Sequence, residues 1–159
     1  MTDKNERFWE ILDDMRVCMV TTEDDGSLRS RPMAPNVDAK ARTISFITDR
    51  DSAKVHELRS DRDLNLSFAD PDNNVYASVS GRGLVSYDKE KLREMWGPYA
   101  KAFFGDDPDS ADAAVITVNP SQAEYWDSDK GKIASAIELT RAYFGDSAPD
   151  LGENKKLDL

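Results

Sequence analysis

The sequence predicts a mainly β fold with flanking helices, an antiparallel barrel of about six strands. Short runs of β-branched and aromatic residues, such as Thr43-Ile44-Ser45-Phe46-Ile47-Thr48, recur between tight-turn signals instead of alternating with long helical patterns. Pro32, Pro35, Gly81 and Gly83 fall inside longer β patterns, where a barrel needs bends and bulges. The 159 residues supply one ordinary core and show neither repeat nor linker, so a single domain is expected over 1–144 with a polar, loose tail over 145–159.

Each element has its own signal. Phe8, Trp9, Ile11, Leu12 and Met15 recur at helical spacing over residues 4–15, with Asp3 and Glu6 placed as a capping box. Residues 16–22 are β-formers, and Asp25-Gly26 turns them into a second extended arm, 28–36, that carries both prolines and so belongs at a sheet edge. The strand 43–48 leads through a polar turn into a short helix that starts at Ser52 and ends near Ser60. Leu64–Ala69 alternates as a half-buried strand, Asp70–Asn74 is a loop, and Val75–Tyr87 is a long strand with a bulge expected at Gly81 and Gly83. Asp88 caps a helix presenting Leu92, Met95, Trp96 and Tyr99, which Gly97-Pro98 interrupts. Two further strands, 113–118 and 122–126, are expected on either side of an Asn119-Pro120 turn, followed by a helix over 133–144.

Composition narrows the function. With 31 acidic against 21 basic residues the chain carries a formal charge of −10, which argues against nucleic acid or anionic lipid as a partner. One cysteine and one histidine, Cys18 and His56, provide no metal-ligand spacing and no intramolecular disulfide. No Gly-x-Ser-x-Gly elbow accompanies His56, and Gly81-Arg82-Gly83 lacks the setting of a dinucleotide loop. No apolar run is long enough to cross a bilayer and the N-terminus has no signal-peptide core, so a cytoplasmic protein is expected.

What remains is a basic and apolar constellation. Arg29 and Arg31 lie on one strand, Phe46 and Thr48 on another, and Ser52 and Lys54 follow at a helix start. Free N–H groups at a helix N-terminus, the positive end of its dipole and a mobile ammonium can converge on one phosphate. Pro32 and Met33 add an apolar edge. The ligand so described has a phosphate at one end and a planar ring system at the other; flavin mononucleotide (FMN) fits, and so do other nucleotides.

Several motifs together resemble a known family. Leu28-x-Ser30-Arg31-Pro32-Met33, Ile44–Asp49 with Ser52-Ala53-Lys54, Val79-Ser80-Gly81-Arg82-Gly83, Trp96, Phe103-Phe104 and Ala123–Asp127 are similar, in order and spacing, to the general stress protein 26 branch of the pyridoxamine 5′-phosphate oxidase-like, FMN-binding split barrels. The resemblance implies a six-stranded split β-barrel and a homodimer with FMN at the subunit interface. It implies that Arg31, Pro32 and Met33 line the flavin, that Phe46, Ile47 and Thr48 meet ring and ribityl chain, and that Ser52 and Lys54 hold the phosphate. Trp126 matches a flavin-contacting tryptophan of the oxidases. Three departures bear on activity: Asn36 stands where the oxidases have a substrate-contacting lysine, Ala53 where they have a phosphate-binding arginine, and residues 127–132 lack their ligand-holding segment. The expectation is therefore a stress-related FMN oxidoreductase or flavin reductase of other specificity, with a non-enzymatic flavin-binding or sensor protein as the alternative; FAD, deazaflavin and haem are competing cofactors.

Overall fold

The structure, a computed structural model, describes residues 4–60, 62–127 and 153–159. Helix α1 (Lys4–Asp14) precedes strands β1 (Cys18–Asp24), β2 (Ser27–Met33), β3 (Asn36–Asp38) and β4 (Thr43–Asp49). Helix α2 (Ala53–Ser60) leads to β5 (Asp63–Asp70) and β6 (Val75–Ser86); α3 (Lys89–Met95) and α4 (Pro98–Phe104) lead to β7 (Ala113–Asp127), and β8 (Glu153–Asp158) closes the chain. All eight strands join one antiparallel sheet in the order β2-β1-β5-β6-β7-β4-β3, with β8 also on β7.

The ends of that path, β2 and β3, are separated in the chain only by Ala34 and Pro35. Two residues span roughly 10 Å at most, so the sheet must curl until its edges meet at a seam. The barrel splits at this seam. Pro32 and Pro35 stand on either side of it, where a missing N–H costs the ladder least. The hairpin between β1 and β2 closes on Asp25 and Gly26, both with positive φ (48° and 81°), the backbone that suits the twist of the flanking strands.

Three expectations change. The arm 28–36 divides into β2 and β3, because the chain crosses from one edge of the barrel to the other after Met33. The turn expected at Asn119-Pro120 is instead the middle of a single 15-residue strand, β7. Its register against β6 shifts between Ser80 and Gly81, leaving Ser121 as the extra residue, so proline sits where the ladder is already interrupted. Gly81 makes this possible, since a Cβ there would lie 2.4 Å from the carbonyl oxygen of Asn119. Finally, the end of the expected loose tail is β8, paired with residues 122–127 along the edge of β7 that β4 occupies over 113–118. The described residues form eight strands, where the barrel was expected to have about six. The helix expected over 133–144, residues 145–152 and Asp3 lie outside the described residues.

The core fills the barrel. Val20, Ile44, Phe46, Leu66, Phe68, Val79, Ile116 and Tyr125 point inward, and α1 closes one end with Phe8, Trp9, Ile11 and Leu12. Phe8 meets Trp9 edge-on at 5.1 Å between centroids, and Arg7 ties the helix to Asp127 through a 2.7 Å ion pair. A smaller cluster of Leu92, Ala111, Ala113 and Val115 lies beneath α3, whose start Asp88 caps through the N–H of Glu90.

Candidate functional site

Arg31 leaves β2 on the inner side of the sheet, in register with buried Val20 of β1. At the rim it meets α2, which buries Val55 and Leu58 in the core and turns Glu57 toward β1. The guanidinium donates from Nη2 to Glu57 Oε2 at 2.9 Å and from Nη1 to the carbonyl of Val20 at 3.3 Å and to the Thr22 hydroxyl. Thr22 in turn donates to the same carboxylate oxygen. These bonds use one fork of the guanidinium and leave Nε–H and one Nη2–H, its other fork, unengaged among the described residues.

The sequence motifs do not single out Glu57. It is 7 % exposed, and its Oε1 is buried without a hydrogen-bond partner among the described residues. A carboxylate so placed requires a cation, and Arg31 is that cation. The only signal available was the i,i+3 spacing of Lys54 and Glu57, which puts both on one side of α2.

Lys54 belongs to the same cluster. Burial lowers its pKa and the positive charge of Arg31 lowers it further, while Asp49 and Glu57 act in the opposite direction. Two cations are thus held within electrostatic reach of each other on a chain of charge −10. At the start of α2 the Ser52 carbonyl accepts from Val55 and His56, and the Ser52 and Thr48 hydroxyls lie 3.3 Å apart. Thr48, Ser52 and Lys54 therefore stand at the start of this eight-residue helix, and Arg31 meets its second turn through Glu57.

The other expected residues lie elsewhere. Phe46, 1 % exposed, and Met33, 8 % exposed, are packed into the core, so only their backbone can meet a ligand. Ile47 faces the opposite way, against the cluster beneath α3. Pro32 is exposed on the outer surface beside Met19. Trp126, 36 % exposed, is also on the outer face, on β7, four strands from β2. One chain does not bring Trp126 to Arg31. Arg29 pairs with Asp24 at the exposed hairpin end, and His56 is exposed on α2.

Nothing else among the described residues competes as a reactive centre. The thiol of Cys18 is buried and pushed up to about 12, so it stays protonated and unreactive at neutral pH. No group of three His, Cys, Asp or Glu side chains among the described residues could hold a metal ion, and no helix among them is long and apolar enough to cross a membrane.

Comparison with known proteins adds to this geometry. A family model described as pyridoxamine 5′-phosphate oxidase like matches residues 3–150. Protein bli-3 of Neurospora crassa is 33% identical over 134 residues, covering 76% of this chain and 64% of the fungal protein, so the chain spans less than two thirds of that relative. Among solved structures, a candidate general stress protein 26 from Jannaschia sp. CCS1 is similar over 100% of both chains, with a TM-score of 0.79 and 26% identity. The general stress FMN/FAD binding protein of Xanthomonas citri has a TM-score of 0.69 and 24% identity, covering 80% of this chain and 90% of that one, a likeness of fold.

Proposed function

Because this chain belongs to the pyridoxamine 5′-phosphate oxidase-like family, we propose that it is a cytoplasmic flavin-binding protein that holds FMN by its phosphate at Arg31, Ser52 and Lys54. The observation that carries this reading is the pair of cations, Arg31 and half-buried Lys54, kept together at a helix start although burial and mutual repulsion both act against it. An anion relieves that repulsion. The free fork of Arg31 matches two phosphate oxygens, and the first N–H groups of α2 with the Ser52 hydroxyl add donors.

The interior around Phe46 and Met33 is filled by side chains, so a three-ring system has to lie at the surface or between two copies. We place it between the subunits of a homodimer. In that arrangement Pro32 provides an apolar edge, and Trp126, which cannot reach Arg31 within one chain, approaches the ring from the second copy.

A bound flavin supplies hydride and electron transfer, and the chain supplies binding, orientation and exclusion of water. The reading is an oxidoreductase acting on a substrate other than pyridoxamine phosphate, given Asn36 and Ala53 at the two positions noted above. One observation favours a flavin carrier without turnover: Glu57, the buried carboxylate of the cluster, is committed to Arg31 and Thr22 and is not free to act as an acid or base. Titrating FMN with purified protein tests binding, with saturable fluorescence quenching expected and its absence ending the proposal. Rapid bleaching of the bound flavin by NADH or NADPH marks the oxidoreductase; a flavin that stays oxidised marks the carrier.

A further inference from the structure

The positive charge of the cluster is smaller than its two cations suggest. Arg31 and Lys54 contribute two positive charges, but Glu57 lies 2.9 Å from Arg31, and Asp49 and Glu57 both act on Lys54. The two cations are answered by one buried and one exposed carboxylate, so the net charge presented to a ligand is between zero and +1. A phosphate monoester such as FMN carries close to two negative charges at pH 7, whereas a phosphodiester carries one. The buried carboxylate also escapes screening by salt, because solvent does not reach it.

We propose that Glu57 sets the charge selectivity of this site, so that it accepts a flavin phosphodiester as readily as FMN. This rests on the flavin reading above and names the ligand class within it. Steric room is consistent with it. Ala53, where the resemblance expects an arginine, is exposed at the helix start and borders a depression of about 410 Å³ lined also by Glu23, Asp24, Asp25, His56 and Glu57, whose carboxylates favour an uncharged second substituent on the phosphate over a further anion.

The role assigned to Glu57 is positional and electrostatic. Its Oε2 accepts from Nη2 of Arg31 while Val20 and Thr22 hold Nη1, which together leave the Nε–H and the second Nη2–H for a ligand, and its charge subtracts from the attraction felt by any phosphate beyond. Glu57→Gln keeps an oxygen for Arg31 and removes the charge; the two effects then separate. A single unit charge about 6 Å from a phosphate changes the monoester-to-diester preference by about a hundredfold at an effective dielectric near 20 and by about tenfold near 40, the value suited to a rim that opens on solvent.

The test is fluorescence titration of wild type and Glu57→Gln with FMN and with its monomethyl phosphodiester, which differ in charge but not in ring or ribityl chain. The wild type is expected to prefer FMN by less than about fivefold, and the variant to raise that ratio about tenfold, mainly by tightening FMN. A wild-type preference beyond fivefold overturns the proposal, as does an unchanged ratio in a Glu57→Gln protein whose circular dichroism is native. If the variant does not fold, the wild-type ratio decides alone. Binding of neither ligand by the wild type removes the flavin reading and this inference with it; binding of both with the wrong ratios removes only the inference.

Discussion

Helices α1 and α2 both pack against the barrel, but they do so with different chemistry. Over 11 residues α1 buries Phe8, Trp9, Ile11 and Leu12, all apolar. Over eight residues α2 buries Val55 and Leu58 beside a carboxylate, Glu57, and half-buries an ammonium, Lys54. Burying apolar area stabilises a fold at about 25 cal/mol per Å², whereas burying charge costs several kcal/mol before pairing offsets it. The first helix is thus a source of stability and the second a place where stability is given up for an arranged set of charges.

This contrast can be broken most directly by removing the charges. Arg31→Ala combined with Lys54→Ala is expected to weaken FMN binding by about 3 to 6 kcal/mol, the loss of two charged hydrogen bonds, as read by fluorescence titration. The complementary change is Phe8→Ala on α1, fully buried against Trp9 and Tyr125. It should cost about 3 to 5 kcal/mol of unfolding free energy in urea yet leave the FMN dissociation constant of the folded fraction unchanged. If Phe8→Ala altered affinity as strongly as stability, the division of labour between the helices would fail.

Two ion pairs sharpen the same point at smaller amplitude. Glu57→Ala leaves the guanidinium of Arg31 without its carboxylate at a site 21 % exposed, and should destabilise by about 3 kcal/mol. Asp24→Ala removes the exposed partner of Arg29, and should cost less than about 1 kcal/mol. Both are measured by urea denaturation.

The smallest effect is a pH dependence. In the free protein the pKa of Lys54 lies below its ordinary value, first through burial and then through Arg31. A bound phosphate favours the ammonium and raises that pKa, so binding takes up a proton in the window between the two values. Affinity is therefore full below the free-state pKa and falls as pH rises through it, by no more than tenfold per pH unit. Lys54→Arg should abolish this slope in a titration series.

The fold was legible wherever a local pattern carried it. The spacing of Phe8, Trp9, Ile11 and Leu12 marked α1, Asp25-Gly26 marked the first hairpin, and Gly81 marked the bulge of the long strands. Pro120 misled because a proline is a turn signal only where the ladder needs its N–H, and the register shift opposite Gly81 removes that need. Strand β8 carries Lys155 and Lys156 and looks like tail; its pairing with β7 is a long-range event that local propensity does not encode. The site divides in the same way. Ser52 and Lys54 were readable from the strand-turn-helix pattern, but Glu57 was one carboxylate among 31 acidic residues, and its partner Arg31 is 26 positions away. The side chains of Phe46 and Met33 fill the barrel, a packing role that the motif does not reveal, and this leaves only their backbone for the contact with a ligand that the resemblance implies.

The measurement that bears most directly on the paired-cation site is the ratio of FMN to riboflavin affinity, because the two ligands differ only in the phosphate. Wild type is expected to bind FMN at least about a hundredfold more tightly than riboflavin, consistent with two charged hydrogen bonds. In the Arg31→Ala, Lys54→Ala protein that ratio should fall to near one with riboflavin affinity unchanged. A ratio that survives the double substitution would put the phosphate somewhere else on the molecule and contradict the account.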